Sequence, residues 1–173
     1  RSFVLLGLGL SYLPKSGIEL YGNFSQNYRS VTFNDIRVVN PTFQVDPDIT
    51  DESGFTTDFG VRGNINDVLS FDVGGFGLMY DDRLGEVLRA ETRVNADGEL
   101  EDTGRVVRFR GNIGRAFMYG LETLVDLNLL PIFDFDTRNA RLNIYANTAI
   151  TKSEYLDSDI PGVEGNEVEF IPL

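Results

Sequence analysis

The chain contains neither cysteine nor histidine. Their absence removes the thiol nucleophile, the disulfide framework, the Cys/His zinc site and the Ser-His-Asp triad together. No catalytic constellation is left, because Ser and Thr have no imidazole to activate them. The protein therefore does not read as an enzyme, and no cofactor or metal centre is expected. Long apolar runs are also missing; none approaches the ~18 residues of a membrane-crossing helix. Positive charge is scarce too, with a net −12 and a pI of about 4.3. That argues against nucleic acid as a partner, since phosphate must be neutralised. A 42% apolar content excludes disorder. The chain opens at Arg1, without an initiator Met or leader, which suggests a processed or partial chain.

What the chain does have is a period of two. Ile18, Leu20 and Phe24 alternate with Glu19, Tyr21 and Asn23. Phe55, Phe59 and Val61 oppose Asp58 and Arg62, and Phe71 and Val73 oppose Asp72. Phe117, Leu121 and Val125 oppose Glu122 and Asp126. Such segments are strands with one apolar and one polar face. They predict about six strands: Phe3–Leu13, Gly17–Arg29, Phe55–Asn66, Val68–Arg83, Val107–Leu130 and Ala140–Tyr155. Most exceed the ~5–6 residues of a globular strand and reach the ~9–11 that a tilted strand needs to cross a bilayer.

The connections alternate between short (Leu13–Gly17, Ile65–Val68, Leu130–Ala140) and long (Ser30–Gly54, Leu84–Val106, Leu156 onward). An up-and-down membrane barrel has such a plain rim and an elaborated one. Charge divides the same way. Segments 30–54, 81–110 and 156–173 hold 18 acidic and 7 basic residues, leaving the remainder close to neutral. Six strands do not close a barrel, for which ~8 is the minimum. The fold expected is all-β: a transmembrane antiparallel up-and-down barrel, with residues 1–173 forming one part of a larger barrel domain.

Thirteen of the 15 cations are arginine, the fork-shaped partner of carboxylates and phosphates. Arg29, at a strand end on the polar parity, is the leading candidate for binding a ligand or anchoring a loop. Arg83, Arg89, Arg93, Arg105, Arg108 and Arg110 surround one long connection. They are suited to gripping an anion, although pairing with the carboxylates of that same connection is the plainer reading. Glu19, Asp58, Arg62, Asp72, Glu122 and Asp126 lie on the polar parity, which would face the barrel interior. Asp46, Asp48, Asp51 and Glu52 lack the spacing of a calcium loop and read as a solvated acidic loop. Gly74, Gly75 and Gly77 open no helix and so make no dinucleotide site.

Four segments carry a family resemblance. ELYGNFSQNYR (Glu19–Arg29) runs into Ser30–Phe33, with Val31 where proline is common. NP…VDPDITDESGFTTDFGVRG lies within Asn40–Gly63, with Asp58 in place of the usual Glu. LSFDVGGFGLMYDDR spans Leu69–Arg83, and NIGRAFMYGLE spans Asn112–Glu122. Together they resemble the C-terminal half of the barrel of TonB-dependent outer-membrane receptors, with a flavour of the ferric-dicitrate type. At the chain's own ~29 residues per strand, a 22-stranded barrel of that kind would need on the order of 640 residues. The family's N-terminal plug and TonB box are not in this stretch, and Ile171-Pro172-Leu173 is not an aromatic barrel terminus. The resemblance implies a Gram-negative outer-membrane location and active import of an iron(III) siderophore or carboxylate chelate as cargo. It also implies energy from the TonB–ExbB–ExbD complex, contact with outer-membrane lipid and lipopolysaccharide, and, as a further partner, a surface lipoprotein. A passive outer-membrane channel or porin, and a β-rich surface binding protein without transport, are the competing classes.

Overall fold

The computed structural model describes residues 3–38, 40–133 and 140–168; the Ile171-Pro172-Leu173 terminus lies outside them. Seven strands form one sheet: β1 (Gly7–Lys15), β2 (Ile18–Arg29), β3 (Phe43–Val45), β4 (Glu52–Ile65), β5 (Leu69–Val94), β6 (Leu100–Asn128) and β7 (Asn143–Asp157). β1, β2, β4, β5, β6 and β7 follow one another as antiparallel neighbours, which is the expected up-and-down order. The sheet is open in this chain.

Alternation sets the two faces, because side chains of successive strand residues point opposite ways. Gly22, Phe59, Gly75, Leu121 and Ile150 stand in one register row across β2, β4, β5, β6 and β7. Phe59 is 62% exposed, Leu121 58% and Ile150 62%. Among the described residues nothing covers this apolar face, and a surface of that kind needs a non-aqueous neighbour. The opposite face carries the row Glu19, Arg62, Asp72 and, two rows higher on that face, Asn23 beside Asp58.

One rim is made of tight turns. Ser16-Gly17 turns β1 into β2, with Gly17 at φ +79°. Asn66, Asp67 and Val68 turn β4 into β5, with Asn66 and Asp67 at φ +52° and +55°, a left-handed pair that Asn and Asp tolerate best. The other rim departs from the sequence reading. Leu84–Val106, expected as a long loop, continues both strands as a two-stranded ribbon that turns only at 95–99. β5 is 26 residues long and β6 is 29, well beyond what a bilayer crossing uses. Where the ribbon leaves the sheet the register shifts between Tyr80 and Leu84; Asp82 sits at φ +54° and Gly114 at φ +142°. Bulges of this sort bend a strand and re-aim its side chains.

The connection 30–51 is also structured. It holds a one-turn helix, α1 (Phe33–Ile36), and then β3, which adds in parallel to residues 108–110 of β6. β3 thus occupies the β6 edge that β7 leaves open above Arg115. The short connection after β6 contains a 3₁₀ turn, Leu130–Phe133. The buried residues gather at this elaborated rim. Ile113, Ala116 and Met118 pack with Tyr155, Val163 and Val168, and Phe43, Leu84, Val107 and Phe109 are buried nearby.

Candidate functional site

α1 begins at Thr32, whose carbonyl accepts the Asp35 amide at 3.0 Å. Asp35 answers by accepting the Thr32 amide at 2.8 Å and the Thr32 hydroxyl at 2.6 Å. This reciprocal capping fixes the start of the helix. It also presents the second Asp35 oxygen to Arg29, whose Nη2 donates at 2.8 Å. Burial works against the Asp35 charge, but the Thr32 hydroxyl and amide and the Arg29 guanidinium outweigh it and hold the carboxyl below the usual range.

Glu52, at the base of β4, is only 3% exposed, which corrects its assignment to a solvated acidic loop. Its Oε2 accepts the Leu84 amide at 2.8 Å. The same carboxylate stands 3.7 Å from Arg29 and 3.8 Å from Arg83. Across the ribbon, Glu86 receives Arg110 in a short hydrogen bond and Arg108 at 3.4 Å. Arg110 also donates to the Asn34 carbonyl at 2.6 Å, tying the ribbon to α1. These groups border a cleft of about 360 Å³ lined by Arg29, Asp35, Arg83, Glu86, Arg110 and Tyr155.

Three of the seven candidate arginines, Arg29, Arg83 and Arg110, therefore meet at one cleft. Arg108 reaches only its outer carboxylate, Glu86. Arg89 is diverted: its guanidinium lies 3.5 Å over the Phe109 ring, a cation–π contact. The pairing of Arg108 and Arg110 with the ribbon's own acid, Glu86, follows the plainer reading of their charge. Sequence reasoning missed Asp35, Glu52 and Glu86. The only local sign of Asp35 was Thr32 three residues earlier, a weak capping spacing. Among the described residues no acidic group has the arrangement of a metal site.

The six polar-parity residues share the opposite half of the same face. Arg62 Nε donates to Glu19 at 2.9 Å and its guanidinium lies 5.2 Å over the Tyr21 ring. Tyr21 donates to Asp72 at 2.9 Å, Asn23 to Asp58 at 2.8 Å and Asn143 to Asp126 at 2.7 Å. A second cleft, of about 330 Å³, is bordered by Asp58, Asp72 and Glu122. The polar face runs from the turn rim to the arginine cleft along β2 and β4, through Asn23–Asp58 and Asn27–Thr56, whereas on β5 and β6 Phe76, Leu78 and Met118 interrupt it.

The glycines of NIGRAFMYGLE have steric reasons. A Cβ on Gly114 would overlap the Asp157 carbonyl oxygen, and its φ is unsuited to an L side chain. A Cβ on Gly120 would overlap the Ile150 carbonyl oxygen and come within 2.8 Å of the Phe76 ring, which lies across it.

Comparison with known proteins adds the following. Residues 2–172 match the family described as TonB dependent receptor-like, beta-barrel. Among curated proteins, none matches the chain. A solved structure of "Copper transporter OprC" is similar at a TM-score of 0.61 and 14% identity, covering 94% of this chain and 21% of that one. "The FrpB iron transporter from Neisseria meningitidis (F3-3 variant)" is similar at 0.55 and 14% identity, covering 87% and 20%. The chain spans about a fifth of each of these structures.

Proposed function

The chain belongs to the TonB dependent receptor-like, beta-barrel family, and from that premise we propose that it is part of the wall of an outer-membrane importer for an iron(III) chelate, driven through the TonB–ExbB–ExbD complex of a Gram-negative cell. The observation that carries this reading is the division of the sheet. One face is apolar and uncovered, as a lipid-facing wall is. The other carries a polar path along β2 and β4, from Glu19 and Arg62 to the cleft of Arg29, Arg83 and Arg110. On this reading Glu19, Asp58, Arg62, Asp72, Glu122 and Asp126 face the lumen and the plug, and the arginine cleft opens toward the outside. Lipid and lipopolysaccharide meet the apolar face, and a surface lipoprotein would meet the outer rim. The cargo is moved without being chemically changed. An anionic carboxylate chelate suits guanidinium groups, which hold carboxylates by paired, charge-assisted hydrogen bonds.

Uptake of radiolabelled ferric citrate into cells carrying or lacking the full gene tests this. Gene-dependent uptake that stops when TonB is removed is the expected result. Gene-dependent uptake that persists without TonB would make the protein a passive channel. Unchanged uptake of every iron chelate after deletion would overturn the iron reading.

A further inference from the structure

The turns of the plain rim differ in chemistry. Ser16-Gly17 joins β1 to β2, and the β4–β5 turn exposes Asn66 and Asp67 while its Val68 is half-buried. These are ordinary turn residues. The connection after β6 instead begins with Leu130-Pro131-Ile132-Phe133, a 3₁₀ turn without one polar side chain. Ile132 is 49% exposed and Phe133 64%.

The register fixes the level at which this turn stands. Ile18, at the β1–β2 turn, pairs with Gly63, and β4 runs two residues further, to Ile65. Ile65 pairs with Leu69, which pairs with Leu127. Two residues beyond Leu127, the Leu129 amide still donates to the Leu142 carbonyl at 2.8 Å. Each hairpin thus ends one step past the last. A steady stagger of that kind is what tilted strands produce, so the three turns share one level of the rim.

The turn is also tied to the apolar face. Leu129 keeps the parity of Val125 and Leu127, and Leu142 keeps that of Ile144 and Ala146. Leu142 and Ile144 are exposed. The Ile132 amide donates to the Leu129 carbonyl at 3.1 Å, which folds the 3₁₀ turn onto the end of that face. We propose that Leu130–Phe133 is an interfacial anchor, with Ile132 and Phe133 seated at the boundary of headgroups and acyl chains in the inner leaflet. The occupant is phospholipid. The turn continues the face that meets the bilayer, and its four residues carry no charge or hydrogen-bonding side chain for a polar partner. Apolar and aromatic side chains settle about 5–10 Å into that boundary. The anchor fixes the depth of the β6–β7 hairpin, which the polar turns do not. The inference rests on the outer-membrane reading of the sheet, and its test separates the two.

The test reconstitutes the full-length protein in vesicles of phosphatidylethanolamine and phosphatidylglycerol. Nitroxide labels are placed singly through Phe133→Cys, Asn66→Cys and Leu121→Cys, and the parent carried through the same labelling serves as the blank. Accessibility to oxygen, which concentrates in lipid, is compared with accessibility to a water-soluble nickel chelate. The Leu121 label should strongly favour oxygen and the Asn66 label the chelate. The oxygen-to-nickel ratio at Phe133 should exceed that at Asn66 several-fold and correspond to a depth of about 5–10 Å. A Phe133 label as open to nickel as the Asn66 label overturns the anchor. A Phe133 label closed to both reagents overturns it too and gives the turn to a protein contact. Either result beside an oxygen-favouring Leu121 label leaves the barrel reading intact and removes the anchor alone. A Leu121 label open to nickel rejects the lipid-facing reading of the sheet, and the anchor with it. If Phe133→Cys does not assemble, Ile132→Cys takes its place with the same outcomes.

Discussion

Asn112 and Thr50, 62 residues apart, bind each other from both sides. The Asn112 Oδ1 accepts the Thr50 amide at 2.8 Å, and its Nδ2 donates to the Thr50 carbonyl at 3.1 Å. The same Nδ2 reaches the Asp82 carbonyl at 2.6 Å. One side chain thereby joins the end of the 30–51 connection, the bulge in β5 and the start of the NIGRAFMYGLE segment. Asn112→Ala should cost about 1–3 kcal/mol locally. Hydrogen exchange of residues 30–51 should accelerate while the exchange of β2 and β4 stays unchanged. Equal exchange throughout would show that Asn112 does not hold this strap.

Gly114 should tolerate no side chain. Its φ of +142° and the overlap of any Cβ with the Asp157 carbonyl make Gly114→Ala costly, at more than about 2 kcal/mol. The consequence is local, so β7 should separate from β6 at its upper end. Protease sensitivity near Ser158, higher in the variant than in the parent, would register it.

The two faces should respond oppositely to charge. Leu121→Arg places a cation on the apolar face, where a lipid neighbour makes it cost ~2–4 kcal/mol near the bilayer midplane. Asp58→Asn, on the polar face, keeps a hydrogen-bonding partner for Asn23 and should leave assembly intact. Heat-modifiable migration of the full-length protein in detergent gels reads both. Equal tolerance would contradict a lipid-facing Leu121.

Acid should loosen the rim before it affects the strands. The Asp35 carboxyl is held below its ordinary value of about 3.9. A lowered carboxylate stabilises the fold fully above the unfolded pKa and loses that contribution as pH falls through the folded one. The α1 segment should therefore stay ordered at pH 5 and open only below about pH 4. Asp35→Asn should remove that acid step. Protection of the Thr32 and Asp35 amides, followed across this range, decides it.

Strand order, the two faces and the turn rim were legible in the residues because alternation is a local property. Phe59 and Asp58 declare their sides from sequence alone, and Asn66-Asp67 marks its turn by backbone tolerance. The NIGRAFMYGLE glycines were visible as a pattern, although their reasons, the Asp157 and Ile150 carbonyls and the Phe76 ring, were not. Residues 84–94 hid their strand because Leu84, Glu86, Leu88 and Ala90 mix character on one side while Val87, Arg89 and Glu91 mix it on the other. A ribbon that is partly packed and partly in water carries no clean period.

The sequence by itself determined that this is a long-stranded, two-faced sheet with its acidity gathered at one rim. Side-chain period, turn chemistry and charge placement act over a few residues, so they can be read without a fold. Only the tertiary structure decided that β3 crosses to β6 and that Glu52 is buried beside Arg29 and Arg83. Those outcomes depend on residues tens of positions apart meeting at a bent ribbon, which no local pattern of the chain encodes.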